Sequence, residues 1–298
     1  MGGSVLPSGI LAPNLTPFED DGRIAEALYV AHAEHLLAQG CAGLIPFGTT
    51  GEAASVGLEE RMRVLDRLVA AGVPASRLIP GTGLTSLPDT VYLTRHAAEL
   101  GCAGVLVLPP FYFKSVSDEG LFAYFARLVE TVGHPALRVV LYHIPQVAGV
   151  GLSVPLVRRL REAFPETVVG IKDSSGDGAN TSALLEIGGL TVYPGTELLL
   201  PQALAVGSPG CITATANVNA PALVRLARLV HDDPGAADTA FEDVRRVRLA
   251  VQAYPPIPAM KALLARRTGD ARWRNVRPPL EPLAQVQEEA LAERIGEG

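Results

Sequence analysis

Short apolar runs rich in Val, Ile and Leu recur along the chain, each bounded by Gly or polar residues. They fall at 9–14, 43–47, 78–81, 104–108, 138–143, 168–172, 191–194 and 210–213, and predict eight buried strands. Between them the spacing turns helical. Leu58, Met62, Leu65 and Val69 mark one face, and Leu121, Tyr124, Phe125, Leu128 and Val132 mark another. Continuous apolar strands that alternate with amphipathic helices predict a parallel sheet covered on both faces. The joins repeat as well. AQGCAGLIPFG around Cys41 and ELGCAGVLVLPP around Cys102 share a helix-ending Gly, a two-residue link and a second Gly that opens a strand. Eight such units match an α/β fold of the closed (β/α)8 TIM-barrel type, with a doubly wound open sheet as the other compatible topology.

After residue 231 the pattern changes. HDDPGAAD reads as a loop, Phe241, Val244, Val247 and Val251 then share one helical face, and Leu283, Val286 and Ala290 share another. The chain is therefore divided into a barrel carrying the site over 1–231 and a C-terminal helical region over 232–298. That region is either packed on the barrel or a dimerisation element.

Composition narrows the partners. Of 298 residues, 48% are hydrophobic, enough for a large core, and the net charge is −6 with no block of like charge. A nucleic-acid footprint is thus missing, and a small-molecule partner is expected. Cys41, Cys102 and Cys211 lie far apart without a CxxC pair, which suits a reducing, cytoplasmic setting and neither a disulfide framework nor a zinc ribbon. No basic leader precedes the first apolar residues, and no run of about 18 apolar residues suits a membrane span. Lysine is scarce: Lys114, Lys172 and Lys261 stand against 22 arginines.

In a (β/α)8 barrel, function gathers at the C-terminal ends of the strands. Thr49 and Thr50, Tyr112, Tyr142 and Lys172 reach that end from different strands. Lys172 closes an apolar strand in TVVGIKDSSGD, where low polarity favours the neutral amine. A neutral amine attacks a ketone to form a Schiff base, and the protonated imine withdraws electrons from the adjacent carbon. A surface lysine ending a strand would give the same pattern. Lys114, after PPFYF, and Lys261, in IPAMKALLARR, read as solvated.

GTTGE at 48–52 is a tight turn whose amides and hydroxyls suit a small carboxylate, or whose threonines satisfy the turn itself. Tyr142, in RVVLYHIP, suits a proton relay or a structural hydrogen bond. Tyr112, flanked by Phe111 and Phe113, suits a packing or subunit-contact loop. His32 and His35 lack a third ligand and read as a solvated helix face. His143 should face away from Tyr142, and Asp173 away from Lys172. The GTG at 81–83 is too short for a phosphate fingerprint.

LTPF at 15–18, PFGTTGE at 46–52, LPPFYF at 108–113, LYHIP at 141–145 and GIKDSSGD at 170–177 together resemble the dihydrodipicolinate synthase / N-acetylneuraminate lyase family of class I, Schiff-base pyruvate aldolases. The resemblance runs from about residue 9 to about residue 280. It implies a TIM barrel with C-terminal helices, often assembled as a homotetramer of two tight dimers. It implies a lyase without a separate cofactor or metal, since a covalent imine on Lys172 does the electron withdrawal.

By the same resemblance Tyr142 and Thr49 relay protons, and Tyr112 completes the relay from a neighbouring subunit. Thr50 and the turn at Gly48 hold the pyruvate carboxylate, while Gly195 and Ile212 line the pocket. The implied reaction forms or releases pyruvate from a small 2-oxo acid, of the 2-keto-3-deoxy sugar acid or 4-hydroxy-2-oxoglutarate type.

Three departures bear on substrate. Val147 stands where 4-hydroxy-tetrahydrodipicolinate synthases of lysine biosynthesis usually place a carboxylate-binding arginine. GTELLL and GCITATAN replace the acidic and serine side chains of neuraminate lyases, and His143 replaces an asparagine. The lysine-biosynthetic synthase, a dehydratase working through the same imine and a non-catalytic 2-oxo-acid sensor stand as alternatives. A metal-dependent barrel lyase would need a His/Asp/Glu cluster at the strand ends, which the sequence does not offer.

Overall fold

A computed structural model describes residues 6–297. Seven parallel strands form the inner ring: Gly9–Ala12 (β1), Gly43–Leu44 (β2), Val105–Val107 (β3), Val139–His143 (β4), Val168–Asp173 (β5), Thr191–Pro194 (β6) and Gly210–Ile212 (β7). Two ladders, β2-β1-β7 and β3-β4-β5-β6, supply its arcs. The eighth expected strand, 78–81, is reduced to isolated parallel bridges of Leu44 with Leu78 and Gly81 with Leu106. It still joins the arcs, because the amides of Ile79 and Gly81 donate to Leu44 and Pro46, and Thr82 donates to Leu106. The segment is short, and Pro80 within it removes a ladder donor. On the other seam Ser208 Oγ donates to the Val192 carbonyl at 2.8 Å, and Cys211 Sγ donates to that of Pro194.

The helices are Glu26–Ala38 (α1), Leu58–Ala70 (α2), Leu87–Glu99 (α3), Asp118–Val132 (α4), Pro145–Ala148 (α5), Val154–Ala163 (α6), Gly178–Leu185 (α7), Leu200–Ala205 (α8), Ala216–Asp232 (α9), Pro234–Gln252 (α10), Pro256–Thr268 (α11) and Gln285–Ile295 (α12). The core has two shells, as strand alternation requires. Leu11, Ile45, Ile79, Leu106, Val140, Val169 and Ile212 fill the barrel. Ile10, Leu44, Val105, Leu141, Ile171, Val192 and Cys211 face the helices.

A third cluster joins Leu15, just beyond the C-terminal end of β1, to Val251, Met260, Leu263, Trp273, Leu291 and Ile295. The C-terminal helices thus pack on their own barrel. The face expected at Leu283, Val286 and Ala290 is a misreading: Val286 is solvent-exposed, and Leu291, Ala292 and Ile295 turn inward instead. Helix α12 begins only at Gln285, so a spacing taken from Leu283 spans a loop.

One irregularity positions the site. Val139 pairs with Val168, but Val140 pairs with Gly170, so β5 carries one extra residue against β4. A one-residue slip exchanges the faces of a strand. Unbulged, β5 would set Ile171 beside Tyr142 and turn Lys172 toward the helices. The bulge brings Tyr142 and Lys172 into register on the inner face.

Candidate active site

Lys172 is 5% exposed at the top of the barrel. Its Nζ donates to the Tyr142 hydroxyl at 3.3 Å and stands 4.4 Å from the centre of that ring. The same hydroxyl meets Thr49 Oγ1 at 3.3 Å. A phenol therefore links the amine of β5 to the hydroxyl of the turn after β2. Among the described residues no carboxylate pairs with Lys172. The neighbouring Asp173 points the other way and accepts from Ser175 N, Asn180 Nδ2 and Thr181 Oγ1. His143 also turns away from Tyr142. Its Nδ1 accepts from Leu152 N at 2.9 Å, and burial holds its imidazolium form below the usual histidine range.

The GTTGE turn is held open by its own backbone. Phe47 and Glu52 lie in the left-handed region, at φ 57° and 55°, on either side of it. Non-glycine residues adopt that conformation only where the surroundings enforce it. Gly51 N and Ala53 N donate back to Gly48 O, Glu52 N donates to Thr49 O, and Thr16 Oγ1 donates to Gly51 O. Among the described residues, the amides of Gly48, Thr49 and Thr50 have no carbonyl or side-chain acceptor. A left-handed residue followed by free amides is a cradle for an anion the size of a carboxylate. Opposite it, Gly81 must be glycine, since a Cβ there would collide with the Phe47 carbonyl.

A cavity of about 340 Å³ opens beside this turn, bordered by Gly48, Thr49 and Tyr142. Lys172, Thr50, Gly195 and Ile212 do not border it: Lys172 is linked to it through the Tyr142 hydroxyl, and Ile212 belongs to the barrel interior. Gly195 packs against Ser174 too closely for any side chain, and its amide donates to Asp173 O at 2.6 Å. Tyr112 does not join the relay in this chain. It is 74% exposed and stacks edge-on with Phe113, itself 70% exposed. Lys114 is exposed as expected, though its Nζ donates to the carbonyls of Phe111 and Ala148.

Two expectations are corrected. Lys261 is not solvated: it is 0% exposed, bonded to Glu52 Oε1 and to the Asn275 carbonyl at 2.7 Å, and 4.5 Å from the Phe18 ring centre. Burial lowers it to about 8, although Glu52 opposes the shift. His32 is no solvated face residue either. It is buried against Trp273, and its Nε2 meets Asn217 Oδ1 at 2.8 Å; burial lowers it to about 4.

The sequence reading also missed the reach of the C-terminal segment into the site. Arg277 N donates to Glu52 Oε2, the Arg277 guanidinium binds Glu60 and Gly22 O, and Arg248 pairs with the buried Glu197. Ile257, Pro279 and Leu280 wall the cavity. The one available signal was a lysine retained in an arginine-rich chain, at Lys261. Among the described residues, no three His, Cys, Asp or Glu side chains converge on a metal position, and no helix is long and apolar enough to cross a membrane.

Comparison with known proteins supplies the context. Residues 6–297 match the dihydrodipicolinate synthetase family. A 4-hydroxy-tetrahydrodipicolinate synthase of Thermus thermophilus is 38% identical over 299 residues, covering 97% of this chain and 96% of that protein. An uncharacterised DapA-like lyase of Chloroflexus aurantiacus is 36% identical over 290 residues, covering 96% and 95%. The crystal structure of the dihydrodipicolinate synthase of Agrobacterium tumefaciens superposes with a TM-score of 0.88 at 36% identity, covering 96% of this chain and 97% of that one. With a closed parallel barrel and a match over nearly its whole length, the chain belongs to the dihydrodipicolinate synthetase family of lyases.

Proposed function

We propose that the chain forms or cleaves the carbon–carbon bond next to the methyl-derived carbon of pyruvate, through an imine on Lys172. The observation that carries this reading is the Lys172–Tyr142–Thr49 contact chain, in which a buried amine has a phenol and no carboxylate as partner. An amine salt-bridged to a carboxylate would be held as the ammonium, which has no lone pair to offer. Tyr142 accepts and returns the protons that carbinolamine formation and dehydration move. The free amides at Gly48, Thr49 and Thr50 hold the pyruvate carboxylate, and Gly195 and Ile212 shape the floor.

The exposed Tyr112–Phe113 pair fits burial against a second copy of the chain, as in the oligomers that the family resemblance implies. Val147, 62% exposed at the mouth on α5, offers hydrocarbon where a second carboxylate would need a cation. That favours an aldolase-type lyase over the lysine-biosynthetic synthase. The cysteines, free and two of them fully buried, fit a cytoplasmic enzyme.

Incubation with pyruvate and borohydride, followed by intact-protein mass spectrometry, tests the reading. One reduced pyruvate adduct per chain is expected in the wild type and none in Lys172→Ala. An equal adduct in the variant would refute it.

A further inference from the structure

The imine reading leaves the second reactant unnamed, and the cavity above Tyr142 bears on it. Its wall is hydrocarbon: Phe47, Leu84, Leu108, Ile144, Val147 and Leu280. Two charged side chains also border it, and both are engaged inside the protein. Glu52 gives one oxygen to Lys261 and the other to Arg277 N. Arg61 is buried, and each of its three nitrogens donates to a backbone carbonyl, of Val56 at 3.2 Å, Gly81 at 3.4 Å and Ala53. The remaining polar side chains of the wall are Thr49 and Tyr142, which belong to the reacting end with the free amides of Gly48 and Thr49, and Ser55. A substituent carrying several hydroxyls or a carboxylate would lose its hydration here without replacement, whereas an apolar one gains from leaving water.

Resting on the assignment of Lys172, we propose that the acceptor is an aldehyde with an aliphatic or aromatic hydrocarbon substituent. Tyr142 gives its proton to the hydroxide lost as the protonated imine forms, and the resulting phenolate takes a methyl proton, so that the imine becomes the enamine. The enamine carbon then bonds to the aldehyde carbon, the carbonyl π pair moves to oxygen, and that oxygen takes the proton back from Tyr142. Water adds to the imine carbon and releases Lys172 as the free amine, with a 4-hydroxy-2-oxo acid as product. No electrons are gained or lost overall, and the cleavage direction is the reverse.

The test supplies the purified protein with pyruvate and, in parallel, butanal, benzaldehyde, glyceraldehyde or succinic semialdehyde, and compares kcat/KM by product formation. The two hydrocarbon aldehydes are expected to exceed the other two by about tenfold or more. A preference for glyceraldehyde or succinic semialdehyde overturns the inference. So does trapping of pyruvate on Lys172 without turnover of any of the four, which would leave the imine reading intact. Absence of trapping would overturn both. Val147→Arg, at an exposed position on the mouth, is expected to raise the relative rate with succinic semialdehyde about tenfold. An unchanged ratio would show that this cavity is not the acceptor site.

Discussion

Lys172 and Lys261 are the two lysines that the fold removes from water, and they differ in what stands opposite the nitrogen. Lys172 faces the phenol of Tyr142 across an open relay to Thr49. Lys261 faces the Glu52 carboxylate, the Asn275 carbonyl and the Phe18 ring, with no access to the cavity. Lys261 is tied into an ion pair with Glu52, whereas among the described residues Lys172 has no negatively charged partner. The two sites are also mechanically linked. Glu52 ends the turn that carries Thr49 and Thr50, so the buried pair anchors the loop whose Thr49 hydroxyl meets Tyr142.

The largest expected effects separate the two lysines. Tyr142→Phe removes the shared partner and is expected to lower kcat by roughly 10²–10⁴-fold while leaving the melting temperature near that of the wild type. An unchanged kcat would mean that protons move by another route. Lys261→Met should do the reverse in kind. It leaves the Glu52 charge buried and unpaired, at a cost of about 3–5 kcal/mol in denaturant unfolding. A companion Lys261→Met/Glu52→Leu protein is expected to recover much of that loss. Failure of the double variant to recover would show that the Arg277 amide, not the ion pair, governs this region.

A smaller effect concerns His32, a base buried without any opposite charge. Its pKa is about 4 in the fold against 6.5 in the open chain. Between those values the unfolded chain binds more protons, so stability rises with pH across that window and is lost as pH falls from 6.5 to 4. The loss amounts to about 3 kcal/mol at the acid end. His32→Gln, which keeps a donor for Asn217 without a titration, should flatten that limb of the profile. A slope equal to that of the wild type would assign the acid sensitivity to other groups.

Much of this was legible in the sequence, for identifiable reasons. Apolar runs set apart by Gly gave seven of the strands directly, because a strand buried on both faces needs hydrocarbon at every position. The Lys172, Tyr142 and Thr49 side chains were singled out because strand ends in such a barrel converge. The convergence depends on the bulge between Val139 and Val140, which no local pattern announced. Lys261 was read as solvated because its helix shows no strong division into apolar and polar faces. It is buried nearly all round, from Pro258 to Ala265. Likewise Glu52 looked like the polar end of a turn, and only the return of α11 and Arg277 to that turn reveals its partners. Pairs more than 200 residues apart leave no periodic trace.

The central claim, that Lys172 and not a second buried lysine is the reacting amine, is tested by peptide mapping after borohydride reduction of the wild-type protein with pyruvate. All three lysines lie in separate arginine-bounded segments, so a single digest at arginine reads each one independently. The account expects the adduct on the Lys172 peptide alone, with Lys114 and Lys261 unmodified. An adduct on Lys261, or one shared among the three, would contradict it.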